Sequence, residues 1–209
     1  MTAVMITSML VVANVMGAGM AYPQAARIVR WRSTSGVSGV WAGVSLSMNL
    51  WWLVYGSAEE LWGLIPVSVV AAALYGVIIV GYVRAIGRSS LAGVLIGVFV
   101  LGMVPLPFLL MGGWRLAGLA IGLCYGMQLV PAVVAACRST DLGGLAPTTW
   151  IMAWIEAVIW LVYGSVVVAD PALLAGGASG AVLAAVILAR LVVTGHRPFQ
   201  VVRPSWTTT

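Results

Sequence analysis

Two tryptophans stand in the same setting in this sequence. Trp52 and Trp160 each begin the hexapeptide Trp-Leu-Val-Tyr-Gly-Ser, which occurs at 52–57 and again at 160–165. An indole face can stack on the apolar face of a ring-shaped polar ligand, while nearby amides and hydroxyls hydrogen-bond to its edges. Tryptophans near helix ends also form interfacial aromatic belts. The exact repetition of the setting favours a pair of ligand-binding residues.

Polar side chains near these tryptophans are few. Asn49 lies three residues before Trp52, and Glu156 lies four residues before Trp160. A charged group in the middle of a membrane helix costs about 2.5–3.5 kcal/mol on insertion scales, so it usually faces a cavity or a partner. Two functional roles are open for Glu156, namely hydrogen bonding to a substrate and proton coupling. The third interpretation is a protonated acid that hydrogen-bonds to a neighbouring helix for structural reasons.

The apolar segments contain no group of residues typical of an enzyme. They hold no histidine, no paired carboxylates, no cysteines at metal-ligand spacing and no glycine-rich phosphate loop. Cys124 and Cys137 fall on one predicted helix, too far apart for a disulfide between them. We therefore expect no catalytic residues, no metal site and no cofactor.

The composition indicates the environment of the chain. Of its 209 residues, 62% are hydrophobic and 7% are charged, whereas soluble domains carry about 25% charged residues. Its surroundings must therefore be largely lipid. The net charge of +5 comes from arginines alone, since the chain has no lysine. Basic loops of a membrane protein account for that charge, so we expect no nucleic-acid partner.

The hydrophobic pattern predicts an all-α membrane protein. A membrane-spanning helix needs about 20 predominantly apolar residues. This length predicts seven transmembrane helices, at 3–22, 37–56, 61–83, 90–112, 114–136, 145–168 and 171–194.

The arginines predict the orientation of these helices. With seven helices, one side of the membrane carries Arg27, Arg30, Arg32, Arg84, Arg88, Arg138, Arg197 and Arg203. The opposite loops carry Glu59, Glu60, Arg115 and Asp170. The positive-inside rule then places the N-terminus outside and the C-terminus in the cytoplasm, as a multi-pass protein of the plasma (inner) membrane.

The doubled hexapeptide belongs to a longer internal repeat. Pro23 precedes Tyr55 by the same distance as Pro131 precedes Tyr163, and an Arg-Ser-Thr tripeptide lies between in each copy. We expect two parallel three-helix repeats joined by a linker helix, an arrangement found in some transporters. The predicted units are 1–89 (first repeat), 90–112 (linker helix), 113–196 (second repeat) and 197–209 (cytoplasmic tail).

Three prolines stand where a helix bend would open or close one side of a path. Proline removes a backbone hydrogen bond and weakens a membrane helix locally. Pro23 and Pro131 form a matched pair, and Pro147 is the third. We predict that they are helix-bending or gating residues.

The segment from Tyr22 to Gly56 resembles the PQ-loop repeat of the SWEET and SemiSWEET sugar-transporter family. The matching features are the pair Pro23-Gln24, the basic loop ending RSTSGVS, an Asn three residues before a Trp, and Trp-x-x-Tyr-Gly. The second unit matches more loosely, with Ala132 in place of the Gln. The resemblance covers nearly the whole chain.

The resemblance implies a uniporter that moves sugar by facilitated alternating access through a central pocket between the repeats. It assigns Trp52 and Trp160 to that pocket, and adds Gln24 to the gating residues. The pocket asparagine of the family falls on Ser68 or Ala71 in the first repeat and on Gly176 in the second. Because the family is known to assemble further, a homo-oligomer is an expected partner, besides the solute and the lipid bilayer.

Two alternatives stay open. Other PQ-loop proteins move amino acids, often coupled to protons, and Glu156 supports that function. A membrane receptor that binds a ligand without transporting it is the second alternative.

Overall fold

The computed structural model describes residues 1–31, 34, 38–138, 142 and 147–195, and within these ranges all regular structure is helical. The main helices are α1 (Ala3–Trp31), α2 (Gly39–Ala58), α3 (Ile65–Ile86), α4 (Leu91–Leu95), α5 (Pro105–Arg138), α6 (Pro147–Val162) and α7 (Pro171–Val193). Short 3₁₀ turns at Trp62–Leu64 and Arg88–Ser90 precede α3 and α4. Two stretches of π-helix, Ile96–Leu101 and Tyr163–Val167, extend α4 and α6.

Several of these helices are suited to cross a membrane. Five helical segments are long and apolar enough by length and composition: Ala3–Arg30, Trp62–Ile86, Arg88–Arg138, Pro147–Val167 and Pro171–Val193. The chain therefore fits an all-α, multi-pass membrane protein. The sequence had predicted seven spans, so two of the predicted spans are not separate segments of this kind in the described residues.

Two features of the helices account for the difference between seven predicted spans and five apolar segments. Helix α2, which carries Ser45, Ser47 and Asn49 in its middle, is not one of the five segments. The predicted spans 90–112 and 114–136 fall within one helical run of 51 residues, Arg88–Arg138. That run is interrupted at Gly112 and Gly113, whose backbone is not helical. Gly113 has φ 62° and ψ −160°, a conformation that favours glycine because it has no Cβ.

The helices pack in the same pattern in the two halves of the sequence. Helix α3 contacts both α1 and α2, and α7 contacts both α5 and α6. Between the halves, α1 packs against α6 and α2 packs against α5. The six helices therefore surround a common interior.

Helix α4 and its π-helical extension lie along α2. The two helices can approach closely because Gly97 has no Cβ; a Cβ there would collide with the carbonyl oxygen of Val40. At the end of this segment the carbonyl of Gly102 accepts hydrogen bonds from Ser47 Oγ at 3.1 Å and Trp51 Nε1 at 2.8 Å. The polar side chains of α2 thus fix the predicted linker segment against the first half of the chain.

The buried clusters differ between the two ends of the molecule. One cluster draws residues from both halves, and we call it the shared cluster: Ala13, Tyr55, Leu61, Leu64, Val67, Ile121, Trp160, Tyr163, Ala172 and Leu173. Toward the arginine-bearing loops, one cluster belongs to the first half (Ala25, Ile28, Ala42, Ile78) and another to the second (Ala136, Leu142, Ile187, Leu191). Among the described residues, the apolar core therefore joins the two halves near Asp170, whereas each cluster toward the arginines belongs to one half.

The predicted gating prolines occupy two kinds of position. Pro23 lies inside α1 and Pro131 lies inside α5, whereas Pro147 is the first residue of α6 as described. A proline at the first helical position costs little, because its missing N–H would have no helical partner there. Pro147 therefore does not interrupt the described helix. Most of the two Arg-Ser-Thr loops and the predicted tail 197–209 lie outside the described residues.

Candidate functional site

A cavity of about 120 Å³ lies between the two halves of the chain. Six helices contribute to its wall, which means every helix except α4. One water needs roughly 10–15 Å³ on a comparable measure, so the cavity has room for several waters or one small solute. Its polar lining residues are Asn49, Ser68, Tyr75, Tyr125, Gln128 and Glu156; the others are Gly17, Met20, Met48, Trp52, Leu64, Val67, Ala71, Ala157, Trp160, Leu173, Gly176 and Gly177.

The residues predicted to bind substrate come together in this cavity. All five line its wall: Asn49, Trp52, Ser68, Glu156 and Trp160. The other positions matched to the family asparagine, Ala71 and Gly176, line it as well. Pro23 and Gln24 are not among the lining residues. Whether any of these residues binds a solute or gates a path stays a prediction.

The lining follows the internal repeat. The offset that superposes the two hexapeptides also pairs lining residues, one from each half of the chain. These pairs are Gly17 with Tyr125, Met20 with Gln128, Met48 with Glu156, Asn49 with Ala157, Trp52 with Trp160, and Ser68 with Gly176. The cavity therefore has a two-fold framework with unlike chemistry on its two sides.

Three polar lining residues were missed by the sequence analysis. Tyr75 lies on α3, and Tyr125 and Gln128 lie on α5, outside the hexapeptides. The repeat offset was the signal that could have found two of them, because it relates Tyr125 and Gln128 to the α1 residues Gly17 and Met20. Tyr75 has no such counterpart, since the same offset leads to Leu183.

Glu156 is the acidic residue of the cavity. Its side chain is 5% exposed and faces α1 at Gly17, where any Cβ would collide with Oε1. Trp160 Nε1 donates a hydrogen bond to Oε1 at 3.2 Å, and the Tyr125 hydroxyl makes a longer contact with Oε2 at 3.5 Å. Neutral donors therefore hold both carboxyl oxygens.

The two tryptophans have matching aromatic neighbours. The rings of Trp52 and Tyr55 meet edge to face, with centroids 6.0 Å apart and planes at 75°. Trp160 and Tyr163 meet at the same 6.0 Å and at 78°. Such pairs contribute about 0.5–1.5 kcal/mol beyond area burial. The tyrosine of each hexapeptide thus orients the tryptophan that begins it.

A buried hydrogen bond joins the two halves beside the shared cluster, which contains Tyr55. The hydroxyl of Tyr55 on α2 donates to Asp170 Oδ2 at 2.6 Å. Asp170 also caps α7, because its Oδ1 accepts from the backbone N–H of Leu173 at 2.8 Å. One carboxylate therefore starts a helix of the second half and binds a helix of the first.

Comparisons with known proteins add no family assignment. No protein-family model matches the sequence, and no curated protein matches it at a significant level. The resemblance to SWEET transporters therefore stays a prediction that rests on the motifs quoted above.

Proposed function

We propose that this protein is a membrane transporter that moves a small polar solute by facilitated alternating access through the cavity between its two halves. The observation that carries this proposal is the two-fold lining, in which each half presents a tryptophan at the matched position of a partly polar cavity. Midplane sites at the interface of internal repeats are typical of transporters. Sugar is the first solute class to test, because of the resemblance to SWEET proteins.

The proposed membrane arrangement has seven crossings, as two parallel three-helix repeats and a linker. The 51-residue run Arg88–Arg138 supports this division. At about 1.5 Å per residue it is far longer than the roughly 30 Å hydrocarbon core, so it cannot cross the bilayer once as a straight helix. The non-helical pair Gly112-Gly113 offers the point of reversal. The arginine distribution supports an external N-terminus and a cytoplasmic C-terminus.

Alternating access requires a path that opens to one side at a time. The shared cluster and the bond from Tyr55 to Asp170 join the two halves at one end. The clusters toward the arginines each belong to a single half. We infer that the described conformation is closed toward Asp170, and that the arginine side is where the halves separate first.

Transport is tested by counterflow in proteoliposomes without any ion gradient. Vesicles preloaded with unlabelled hexose should accumulate labelled hexose, and Trp52→Ala and Trp160→Ala should abolish the accumulation. Trp62→Ala is the control, because Trp62 is 65% exposed and lies outside the lining. Accumulation equal to that of empty vesicles for every solute tried would overturn the proposal. Ligand binding without flux would instead support a receptor.

Glu156 favours a second candidate, proton-coupled transport of an amino acid or another small metabolite. A buried carboxyl group in the solute cavity can carry a proton together with the solute. This candidate predicts that an inward proton gradient accelerates uptake, and that Glu156→Gln removes the acceleration without preventing counterflow. Uptake that is insensitive to the gradient would exclude it.

A further inference from the structure

The cavity holds one acidic side chain and no basic one among its described lining residues. Glu156 is buried there, and none of the described lining residues is an arginine, lysine or histidine. The chain has no lysine anywhere, and its single histidine, His196, lies outside the described residues. Within the described part of the chain, no ion pair reaches Glu156. A buried carboxylate is costly unless a cation or several good donors compensate it.

The hydrogen bonds to Glu156 compensate it only in part. An indole N–H can only donate, so Oε1 acts as the acceptor for Trp160. The contact from Tyr125 to Oε2 is long at 3.5 Å. A carboxylate offers about four lone-pair sites, and these two contacts occupy two of them. The remaining acceptor capacity adjoins the cavity.

The aromatic side chains of the lining favour a cation, as the carboxylate of Glu156 does. Trp52, Tyr75, Tyr125 and Trp160 all line the cavity. The π-faces of such rings attract cations, and this attraction is stronger where water is excluded. Charge and aromatic lining therefore both favour a positively charged solute.

Among the described residues, the lining offers no cationic partner to the carboxylate of an amino acid. A zwitterion would bring a carboxylate into a cavity that already holds one, and only neutral donors such as Asn49 and Gln128 are available to receive it. A neutral sugar would leave Glu156 without a counter-charge. The geometry points to a compact organic ammonium compound without a carboxylate, such as an amino sugar or a small amine, with Glu156 as its counter-ion. This inference rests on the proposed function, since it assumes that the cavity is the solute site.

Three sugars of similar shape test whether the cavity prefers a positively charged solute. D-glucosamine, at a pH where its amine is protonated, is compared with D-glucose and N-acetyl-D-glucosamine by equilibrium binding to the full-length protein in detergent. Ethanolamine extends the test to a smaller cation. We expect a protonated amine to bind at least about tenfold more tightly than the neutral sugars, a difference of about 1.4 kcal/mol.

Two variants distinguish the effect of the Glu156 charge on binding from an effect on folding. In Glu156→Gln the side chain keeps an acceptor oxygen for Trp160, so the tenfold preference should vanish while the protein still folds. Glu59→Gln is the matched control, because Glu59 is exposed and does not line the cavity. It should leave the preference unchanged. Equal binding of charged and neutral sugars, no binding of either amine, or a preference that survives in Glu156→Gln would overturn the inference.

Flux measurements distinguish this inference from the proposed transport. Amine binding that depends on Glu156 but gives no counterflow would support the cation site and contradict transport. Glucose counterflow that is unchanged in Glu156→Gln, with no amine preference, would support transport and contradict the cation site.

Discussion

The indole nitrogen of Trp160 donates a hydrogen bond to Oε1 of Glu156 at 3.2 Å, one helical turn away on α6. The matched tryptophan, Trp52, makes no such bond within the described part of the chain, because the residue that corresponds to Glu156 is Met48. The two tryptophans share a sequence setting and an aromatic neighbour. They differ in how firmly the indole is held, and this difference makes the cavity chemically one-sided.

The first prediction compares the two indole N–H groups. Phenylalanine keeps an aromatic face but removes the donor, so Trp160→Phe leaves Oε1 of Glu156 without its indole partner. We expect Trp160→Phe to weaken solute binding by roughly ten- to hundredfold, since a lost bond to a charged group is worth about 1.5–3 kcal/mol. Trp52→Phe should cost less. Binding isotherms measure the loss of affinity in the two variants. Equal losses would show that the hydrogen bond from Trp160 to Glu156 does not contribute to solute binding.

The second prediction concerns the bond that joins the two halves. Tyr55→Phe removes the 2.6 Å bond to Asp170 and leaves a buried carboxylate oxygen without its donor. The free energy of unfolding should fall by about 1–3 kcal/mol. Thermal unfolding of the purified protein in detergent measures this loss as a lower midpoint.

Tyr163→Phe is the matched control for that change. Tyr163 occupies the same hexapeptide position and also packs against its tryptophan. Its hydroxyl has no hydrogen-bond partner among the described residues, so its removal should have little effect on the midpoint. Equal shifts in the two variants would indicate that the bond between Tyr55 and Asp170 adds no stability.

Much of the candidate site could be predicted from the sequence, because an internal repeat provides a register. Once Trp52 is aligned with Trp160, the residues on the same helical turns follow, and Asn49 and Glu156 do line the cavity. Tyr75 could not be found in that way, because the repeat offset leads from it to Leu183, which does not line the cavity. It lies on α3, which reaches the cavity only through packing, and no local motif marks it.

The bond from Tyr55 to Asp170 illustrates a second limit. The two residues are 115 positions apart, and each has a sufficient local explanation, one as part of the hexapeptide and the other as a helix cap before Pro171. Only the tertiary fold, which brings the residue before α7 within hydrogen-bond distance of the end of α2, places them together. The count of spans has a similar limit, since Gly112-Gly113 interrupts a helical run without ending it.

The third prediction tests the orientation with a native cysteine. Cys137 is exposed and adjoins Arg138 at the end of α5, on the side that the arginines mark as cytoplasmic. In a Cys124→Ala background, a membrane-impermeant maleimide should label inside-out vesicles and not right-side-out vesicles. The further change Cys137→Ser should abolish the signal. Labelling from the outside would reverse the proposed orientation.

The last prediction concerns the space in which Glu156 lies. A Cβ on Gly17 would collide with Glu156 Oε1 and lie 2.7 Å from Val67 Cγ2. Because a carboxyl group at the end of a flexible side chain can move aside, Gly17→Ala should displace it without unfolding the protein. Solute binding should weaken by about tenfold, the loss expected for one misplaced hydrogen-bonding group.

Gly76→Ala is the control for Gly17→Ala, since a Cβ there has nothing within 4 Å. Because Gly76 lies within α3, Gly76→Ala should bind the solute normally and should stabilise that helix by up to about 1 kcal/mol. Normal binding by Gly17→Ala, measured beside Gly76→Ala, would show that the solute does not require Glu156 in its described position.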